Sequence, residues 1–186
     1  MMRKEKSRCG KSASNRQHRT RRDIQRRLAK ARRREALHDA YIELVNDLAP
    51  QLFITFNFGY GIKSPAAKKK MKDFLNRIQR KALGRQWNLL PIKKRPTVIA
   101  FLEHQDSNPH YHGTITCTKR VAKALLNDGE EVWLTLMPRG QLDVQPIRSL
   151  EKVTTYITKA LWTDQAVDAV FVYTPDPHPI KLNGNC

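Results

Sequence analysis

Residues 110–117 have the sequence His-Tyr-His-Gly-Thr-Ile-Thr-Cys, and this alternation decides the fold of the chain. Successive side chains of a β-strand point to opposite faces of the sheet, so a strand here divides its residues into two sets. The first set is Tyr111, Gly113, Ile115 and Cys117, and the second is His110, His112, Thr114 and Thr116. Burying the first set under helices leaves two imidazoles and two hydroxyls on the opposite face. The stretch therefore predicts a sheet with one covered face and one open, polar face.

The rest of the pattern predicts the elements around this strand. Alternating or continuous apolar residues predict strands at 52–58, 97–103, 131–137, 141–147 and 169–173, with a hairpin turn at residues 138–140. Helical spacing predicts helices at 64–84, 121–127 and 149–161, the first capped by the Ser64 hydroxyl and closed by Gly84. The order indicates an α+β fold with an antiparallel central sheet, helices on one face and an open face for a site.

Positive charge is concentrated at the N-terminus of the chain. The 186 residues carry a net charge of +18, and residues 1–36 hold fifteen Lys and Arg against Glu5, Asp23 and Glu35. Such a block predicts a solvated segment that binds polyanions, above all nucleic acid. We expect a basic tail at 1–36, partly disordered or helical, a folded domain at 37–174 and an irregular C-terminal tail at 175–186. The arginines expected to contact the phosphate backbone are Arg21, Arg22, Arg26, Arg27, Arg32, Arg33 and Arg34.

Cysteine usage and hydropathy indicate a soluble protein of a reducing compartment. The three cysteines, Cys9, Cys117 and Cys186, are far apart in sequence and form no C-x-x-C pair, which excludes a disulfide framework and a structural zinc site. No apolar run follows the basic N-terminus as in a secretory signal, and none approaches the length of a membrane span. We expect the cytoplasm and no membrane partner.

The two histidines of the polar face are candidate metal ligands. Imidazole nitrogens at i and i+2 of a strand can reach one ion, and a carboxylate is the natural third ligand where a harder ion must fit. Glu103 ends the preceding predicted strand, and the turn at 104–109 brings it beside His110 and His112. His104 and Asp106 are alternative third ligands, and ordinary surface histidines are the alternative to a metal site.

Tyr156 and Lys159 lie three residues apart on a predicted helix and so share one of its faces. A tyrosine oxygen is a poor nucleophile at its ordinary pKa near 10, but a metal and a nearby ammonium lower the cost of developing charge. Core packing of the tyrosine and a solvated lysine near the helix end are the competing interpretations.

These motifs, in this order, resemble the HUH endonuclease superfamily, and within it the single-tyrosine replication initiators, or Rep proteins. Such proteins have an apolar strand with a central threonine, which residues 53–56 (Phe-Ile-Thr-Phe) resemble. A His-hydrophobic-His motif follows, matched at 110–112 between Pro109 and Gly113, and then Tyr-x-x-Lys, matched by Tyr156 and Lys159. The likeness spans residues 52–161.

The resemblance implies a ferredoxin- or RRM-like sheet and a DNA endonuclease that nicks and rejoins single-stranded DNA at a replication origin through a 5′-phosphotyrosine. It implies Tyr156 as nucleophile, Lys159 as its aid, and Mn²⁺ or Mg²⁺ on His110, His112 and Glu103. We further expect Thr55, Asn57, Thr114 and Thr116 to line a strand channel. Because the chain has no P-loop motif, unwinding would fall to a host helicase, and a host polymerase would extend the 3′ end, in a bacterial cytoplasm beside plasmid or nucleoid.

Other classes remain open at this stage. A single-tyrosine transposase of the same superfamily usually has glutamine near the tyrosine, where this chain has Lys159. A relaxase places its tyrosine near the N-terminus, and a two-histidine phosphoesterase needs a second His-x-Ser/Thr motif that His178 does not supply. A basic nucleic-acid-binding protein without catalysis is the main alternative outside the superfamily.

Overall fold

The architecture was obtained from a computed structural model that describes residues 12–104, 107–162 and 170–174, with side chains in the first helix from residue 22 onward. Within these residues the helices are α1 (Ser12–Leu48), α2 (Ser64–Leu83), α3 (Lys119–Leu136) and α4 (Leu150–Thr158). The strands are β1 (Leu52–Asn57), β2 (Thr97–Glu103), β3 (His110–Thr116), β4 (Gln141–Pro146) and β5 (Val170–Tyr173). Short 3₁₀ turns span Trp87–Leu89, Ile92–Lys94 and Lys159–Trp162.

The strands form one antiparallel sheet in the order β4-β1-β3-β2-β5. The α+β class and the antiparallel sheet expected from the sequence are thus confirmed. β3 lies in the middle of the sheet, and its residues alternate between the two faces as the sequence predicts: Tyr111 and Ile115 enter the larger core, whereas His110 and His112 point the other way.

The larger core lies between the sheet and helices α2 and α3. It is centred on an aromatic cluster in which Trp133 of α3 contacts Phe56, Phe58 and Phe74 at ring-centroid distances of 5.2–5.7 Å. The buried Trp133 also donates a hydrogen bond from its indole Nε1 to the Asn57 carbonyl. This contact ties α3 to the end of β1 and satisfies the one polar atom of the indole.

The histidine face of the sheet is partly covered rather than wholly open. The C-terminal half of α1, the helix α4 and the 3₁₀ turn after it pack there on Ile99 and Phe101, through Val45, Ile157 and Leu161 respectively. Because this second core is small and lies toward β2, the histidines and the residues of β1 beside them remain at its edge. The two helices therefore form a wall beside the polar side chains.

Two local predictions were wrong. The hairpin expected at 131–147 does not form, because residues 131–136 continue α3 and only residues 141–146 form a strand. The alternation of Val132, Leu134 and Leu136 imitates a strand, but burial of Trp133 against the aromatic cluster favours a helix. The Ser64 hydroxyl does not cap α2 either; it hydrogen-bonds to the buried Tyr111 hydroxyl at 3.1 Å.

The described part of the basic N-terminal segment is helical. α1 is continuous from Ser12 to Leu48, so the boundary expected at residue 36 lies inside one helix. Gly84 ends α2 with φ of +91°, as expected, and its amide donates to the Arg80 carbonyl. Residues 1–11, residue 169 of the expected last strand and the tail expected at 175–186 lie outside the described residues.

Candidate metal and tyrosine site

The pairing of β3 with its neighbours brings the predicted site residues together. His110 is directly opposite Glu103 of β2, and His112 is directly opposite Thr55 of β1. Directly opposed residues of an antiparallel pair have Cβ atoms about 5 Å apart. The turn between β2 and β3 therefore places Glu103 beside the histidines, as the sequence predicts.

Glu103 lies at the centre of the cluster. One carboxylate oxygen, Oε2, lies 3.9 Å from His110 Nε2, 4.0 Å from His112 Nε2 and 3.1 Å from the Lys159 ammonium. The side chain is only 8% exposed, and the other oxygen, Oε1, is buried with no hydrogen-bond partner among the described residues. A buried carboxylate with an unused oxygen fits a site that holds a cation.

A group of three residues on this hairpin could hold a metal ion. Glu103, His104 and His110 each offer a ligand atom, and these atoms lie within 4.8 Å of one another. His104 was one of the alternative ligands considered from the sequence, and Asp106 lies outside the described residues. The backbone of His104 has φ of +51°, and its ring stacks on that of His110 with centroids 5.2 Å apart.

His110 is oriented as a ligand. Its Nδ1 donates a hydrogen bond of 2.8 Å to the Asn108 carbonyl, because a carbonyl oxygen can only accept. The proton is thereby placed on Nδ1, and the lone pair of Nε2 is left toward Glu103. Metal-ligating histidines are commonly fixed in this way by a second hydrogen bond.

His112 contacts two hydroxyls. Its Nδ1 lies 2.9 Å from Thr55 Oγ1, and its Nε2 lies 3.2 Å from the Tyr156 hydroxyl. The pKa of His112 is lowered from 6.5 to about 4, chiefly by burial; the charge of Glu103 opposes this shift, and the charges of His110, Lys159 and His104 add to it. The imidazole is therefore neutral at neutral pH, which is the form that can ligate a metal.

Tyr156 presents its hydroxyl to the histidines while keeping access to solvent. The side chain is 42% exposed, and its ring lies edge-on to His112 and to Phe53. The Lys159 ammonium lies 3.8 Å from the centroid of the same ring. Burial alone would lower the pKa of Lys159, but the hydrogen bond and charge of Glu103 raise it, so the lysine is a cation. The negative face of an aromatic ring attracts a cation, so this contact holds the ammonium beside the tyrosine.

Two contributors to the site were missed from the sequence. Phe53 stacks on the His112 ring with centroids 5.7 Å apart, although its face of β1 was predicted correctly. His38 of α1 approaches the other end of the tyrosine helix, with Nε2 3.3 Å from Thr158 Oγ1 and its ring 4.7 Å from Trp162. Only the alternation of β1 could have pointed to Phe53, and nothing in the sequence pairs His38 with α4.

The residues expected to contact DNA occupy different environments. Thr55 faces the site but hydrogen-bonds to His112, and the Asn57 side chain accepts from the Gly59 amide. Thr114 shares the face of His112 but is only 3% exposed, so its hydroxyl is covered and cannot contact DNA, and Thr116 donates to the Leu48 carbonyl. In α1, Arg34 is half-buried and the side chain of Arg21 lies outside the described residues. The exposed arginines there are Arg22, Arg26, Arg27, Arg32 and Arg33.

Fold and site together define an α+β protein with a carboxylate–imidazole cluster beside a half-exposed tyrosine. No protein-family model, no curated protein and no solved structure matches the chain. In the described part of the chain, none of the helices combines the length and apolar character that crossing a membrane requires.

Proposed function

We propose that this protein is a metal-dependent endonuclease and strand transferase that nicks and rejoins single-stranded DNA through Tyr156, in the manner of the single-tyrosine HUH replication initiators. One observation carries the proposal: the Tyr156 hydroxyl lies 3.2 Å from His112 Nε2, which is 4.0 Å from Glu103 Oε2. A nucleophile is thus in contact with the residues suited to bind a cation. Core packing or simple nucleic-acid contact does not require this arrangement.

The metal is assigned to Glu103, His110 and His112, with His104 as a fourth group within reach. Glu103 and His110 belong to the group that could hold an ion, and His112 Nε2 lies as close to Glu103 Oε2 as His110 Nε2 does. Two imidazoles and a carboxylate suit Mn²⁺, or Mg²⁺ where it is more abundant. When bound, such an ion polarises a non-bridging phosphate oxygen.

Tyr156 and Lys159 supply the chemistry of the nick. The phenol gives up its proton to solvent as a bond forms between the tyrosine oxygen and phosphorus, and the bond from phosphorus to the 3′ oxygen breaks as that oxygen takes up a proton from solvent. The strand is left with a free 3′-hydroxyl and a 5′-phosphate esterified to the protein. The Lys159 ammonium over the ring stabilises charge on the phenol oxygen, both when it attacks and when it leaves on rejoining.

The charge of the chain supports nucleic acid as the substrate. Arg22, Arg26, Arg27, Arg32 and Arg33 are exposed along α1, whose other half packs beside the tyrosine helix. They provide sequence-independent, salt-dependent affinity for a phosphate backbone. Within this proposal the 3′ end primes synthesis at an origin by a host polymerase, with a host helicase unwinding the duplex in a bacterial cytoplasm.

A covalent adduct tests the proposal. The protein is incubated with Mn²⁺ and a pool of random single-stranded oligonucleotides labelled at the 3′ end, and label that stays on the protein in SDS is measured. We expect an adduct from the unaltered protein, none with EDTA, and at least about a 100-fold loss in Tyr156→Phe.

Tyr60→Phe is the matched control, since Tyr60 is a similarly exposed tyrosine (48%) outside the cluster, and it should form the adduct normally. An adduct that survives Tyr156→Phe contradicts the assignment of the nucleophile. DNA binding that is insensitive to EDTA, with no adduct from any variant, would instead favour the non-catalytic basic binder.

A further inference from the structure

A groove lies next to the tyrosine site on the same face of the sheet. Its volume is about 620 Å³, within the range of small-ligand sites. It is bounded by the end of β4, the connection to α4 and the first turns of α4. Its lining residues are Phe53, Gln145, Pro146, Ile147, Arg148, Ser149, Lys152 and Val153.

The groove is continuous with the nucleophile. Phe53, which forms part of its wall, stacks on His112 and meets the Tyr156 ring with centroids 6.2 Å apart. Lys152 and Val153 are four and three residues before Tyr156 on α4, so they lie on the side of the helix from which Tyr156 projects. A chain that passes through the groove therefore arrives at the tyrosine hydroxyl.

The lining has the chemistry of a nucleotide site. Phe53 offers a half-buried aromatic ring beside the apolar Pro146, Ile147 and Val153, and stacking on such a ring is how proteins hold unpaired bases of any sequence. Arg148 and Lys152 are exposed cations at the same groove, suited to a phosphate. Arg148 can bind two phosphate oxygens at once, and Lys152 acts as a point charge.

We propose that this groove holds one unstacked nucleotide of the DNA strand beside the phosphate attacked by Tyr156. The base stacks on Phe53, and its phosphate binds Arg148 and Lys152. The inference rests on the proposed function for the identity of the ligand, but it concerns a different set of residues. It makes the groove, rather than the basic helix α1, the place where the strand is positioned for reaction.

Equilibrium binding in a non-reacting background tests the groove independently of chemistry. Tyr156→Phe is combined with Arg148→Gln and Lys152→Gln, and the dissociation constant for a fluorescein-labelled thymidine dodecamer is measured at several salt concentrations. Loss of this phosphate contact should reduce the magnitude of the slope of log K against log salt by about 0.7, the value for one phosphate on a single strand. The matched control is Arg120→Gln with Lys123→Gln, which removes the same charge from exposed positions of α3 on the opposite face and should leave the slope unchanged.

Phe53→Leu in the same background tests stacking and should weaken binding at least about 5-fold, the lower end for one stacked base. Because Phe53 also contacts His112, a direct measurement accompanies it. Oligonucleotides with 5-iodouracil at successive positions are photo-cross-linked to the Tyr156→Phe protein, and mass spectrometry should place a cross-link on Phe53. Circular dichroism melting confirms that each variant is folded.

The two proposals fail separately. If the adduct forms but the groove variants bind like the control and no cross-link reaches Phe53, the groove inference is overturned and the function stands. If the groove variants lose binding and Phe53 cross-links while no adduct forms in any condition, the groove stands as a single-strand site and the endonuclease is rejected.

Discussion

Glu103 contacts the Lys159 ammonium through the same oxygen that it would offer to a metal ion. Lys159 lies 3.1 Å from Oε2, and the Nε2 atoms of the two histidines lie about 4 Å from the same atom. Neighbouring ligand atoms on one small divalent ion lie about 3 Å apart, since each bond is 2.0–2.2 Å long, so an ion shared by Glu103 and both imidazoles would crowd the oxygen that the ammonium already contacts. Binding of an ion therefore competes with the ammonium for Oε2.

This competition predicts that Lys159→Gln binds Mn²⁺ more tightly although it reacts less. We expect the dissociation constant, measured by isothermal titration calorimetry, to fall about 5-fold, equivalent to a partly exposed ion pair of about 1 kcal/mol. Adduct formation should fall in the same variant, because the cation over the tyrosine ring is lost. Lys152→Gln removes the same charge from α4, the helix that leads to Lys159, and should bind Mn²⁺ as the unaltered protein does. Unchanged or weaker Mn²⁺ binding by Lys159→Gln would contradict the competition.

His112 makes the stability of the fold depend on pH. Its folded pKa is about 4, below the ordinary 6.5, so the unfolded chain binds a proton first as the pH falls. The neutral histidine is fully favourable above pH 6.5, and its advantage is lost between pH 6.5 and pH 4, by up to about 3 kcal/mol. Urea unfolding in EDTA should show the unaltered protein losing this much relative to His112→Gln from pH 7 to pH 4. If the free energy of unfolding changed with pH in the same way in both proteins, His112 would not be a buried, neutral histidine in the folded state.

At the scale of elements, β3 is held between β1 and β2 by a glycine. A Cβ at Gly113 would lie 2.5 Å from both the Ala100 Cβ and the Ile99 carbonyl oxygen, on a backbone that cannot move without distorting the sheet. Gly113→Ala should therefore cost about 2–3 kcal/mol in urea unfolding, the usual range for overpacking. Gly61→Ala is the control, because a Cβ there meets nothing within 4 Å, and it should change stability by less than about 1 kcal/mol. If Gly113→Ala and Gly61→Ala lowered the free energy of unfolding equally, the close approach of β2 to Gly113 would not be the reason for glycine there.

The elements also show what the sequence could and could not predict. Strict alternation at 110–116 and a short turn were enough to place Glu103 opposite His110, because pairing within a hairpin is local. The length of α3 was not predictable from periodicity, since its second half alternates like a strand and becomes helical only through contacts of Trp133 with residues of β1 and α2. The partners of His112 come from β1 and α4, distant in sequence, so its two hydroxyl contacts required the fold.

At the scale of the whole molecule, α1 joins the basic segment to the site through one helix. Its second half packs on α4 and the sheet, while in its first half Ile24 and Leu28 are more than half exposed at 52% and 55%. Arg22 lies sixteen residues before His38, which contacts the tyrosine helix, and this spacing corresponds to roughly 24 Å of helix. The helix thus holds its N-terminal arginines at a distance from the site that the length of the helix sets.

Deleting residues 1–28 should therefore weaken DNA binding without preventing the reaction of Tyr156. The deletion takes away Arg22, Arg26 and Arg27 but none of the residues that pack on the sheet, so the melting temperature should change by less than about 4 °C, equivalent to about 1 kcal/mol. Affinity for the thymidine dodecamer should fall at least about 10-fold at low salt, and less at physiological salt, because the lost contacts are counterion-releasing ones. At saturating DNA the truncated protein should still form the Tyr156 adduct, since Glu103, the histidines and the groove are intact. If the adduct disappears at saturation in a folded protein, the basic helix does more than hold DNA near the site: it would have to place the strand for attack, the role assigned above to Phe53, Arg148 and Lys152.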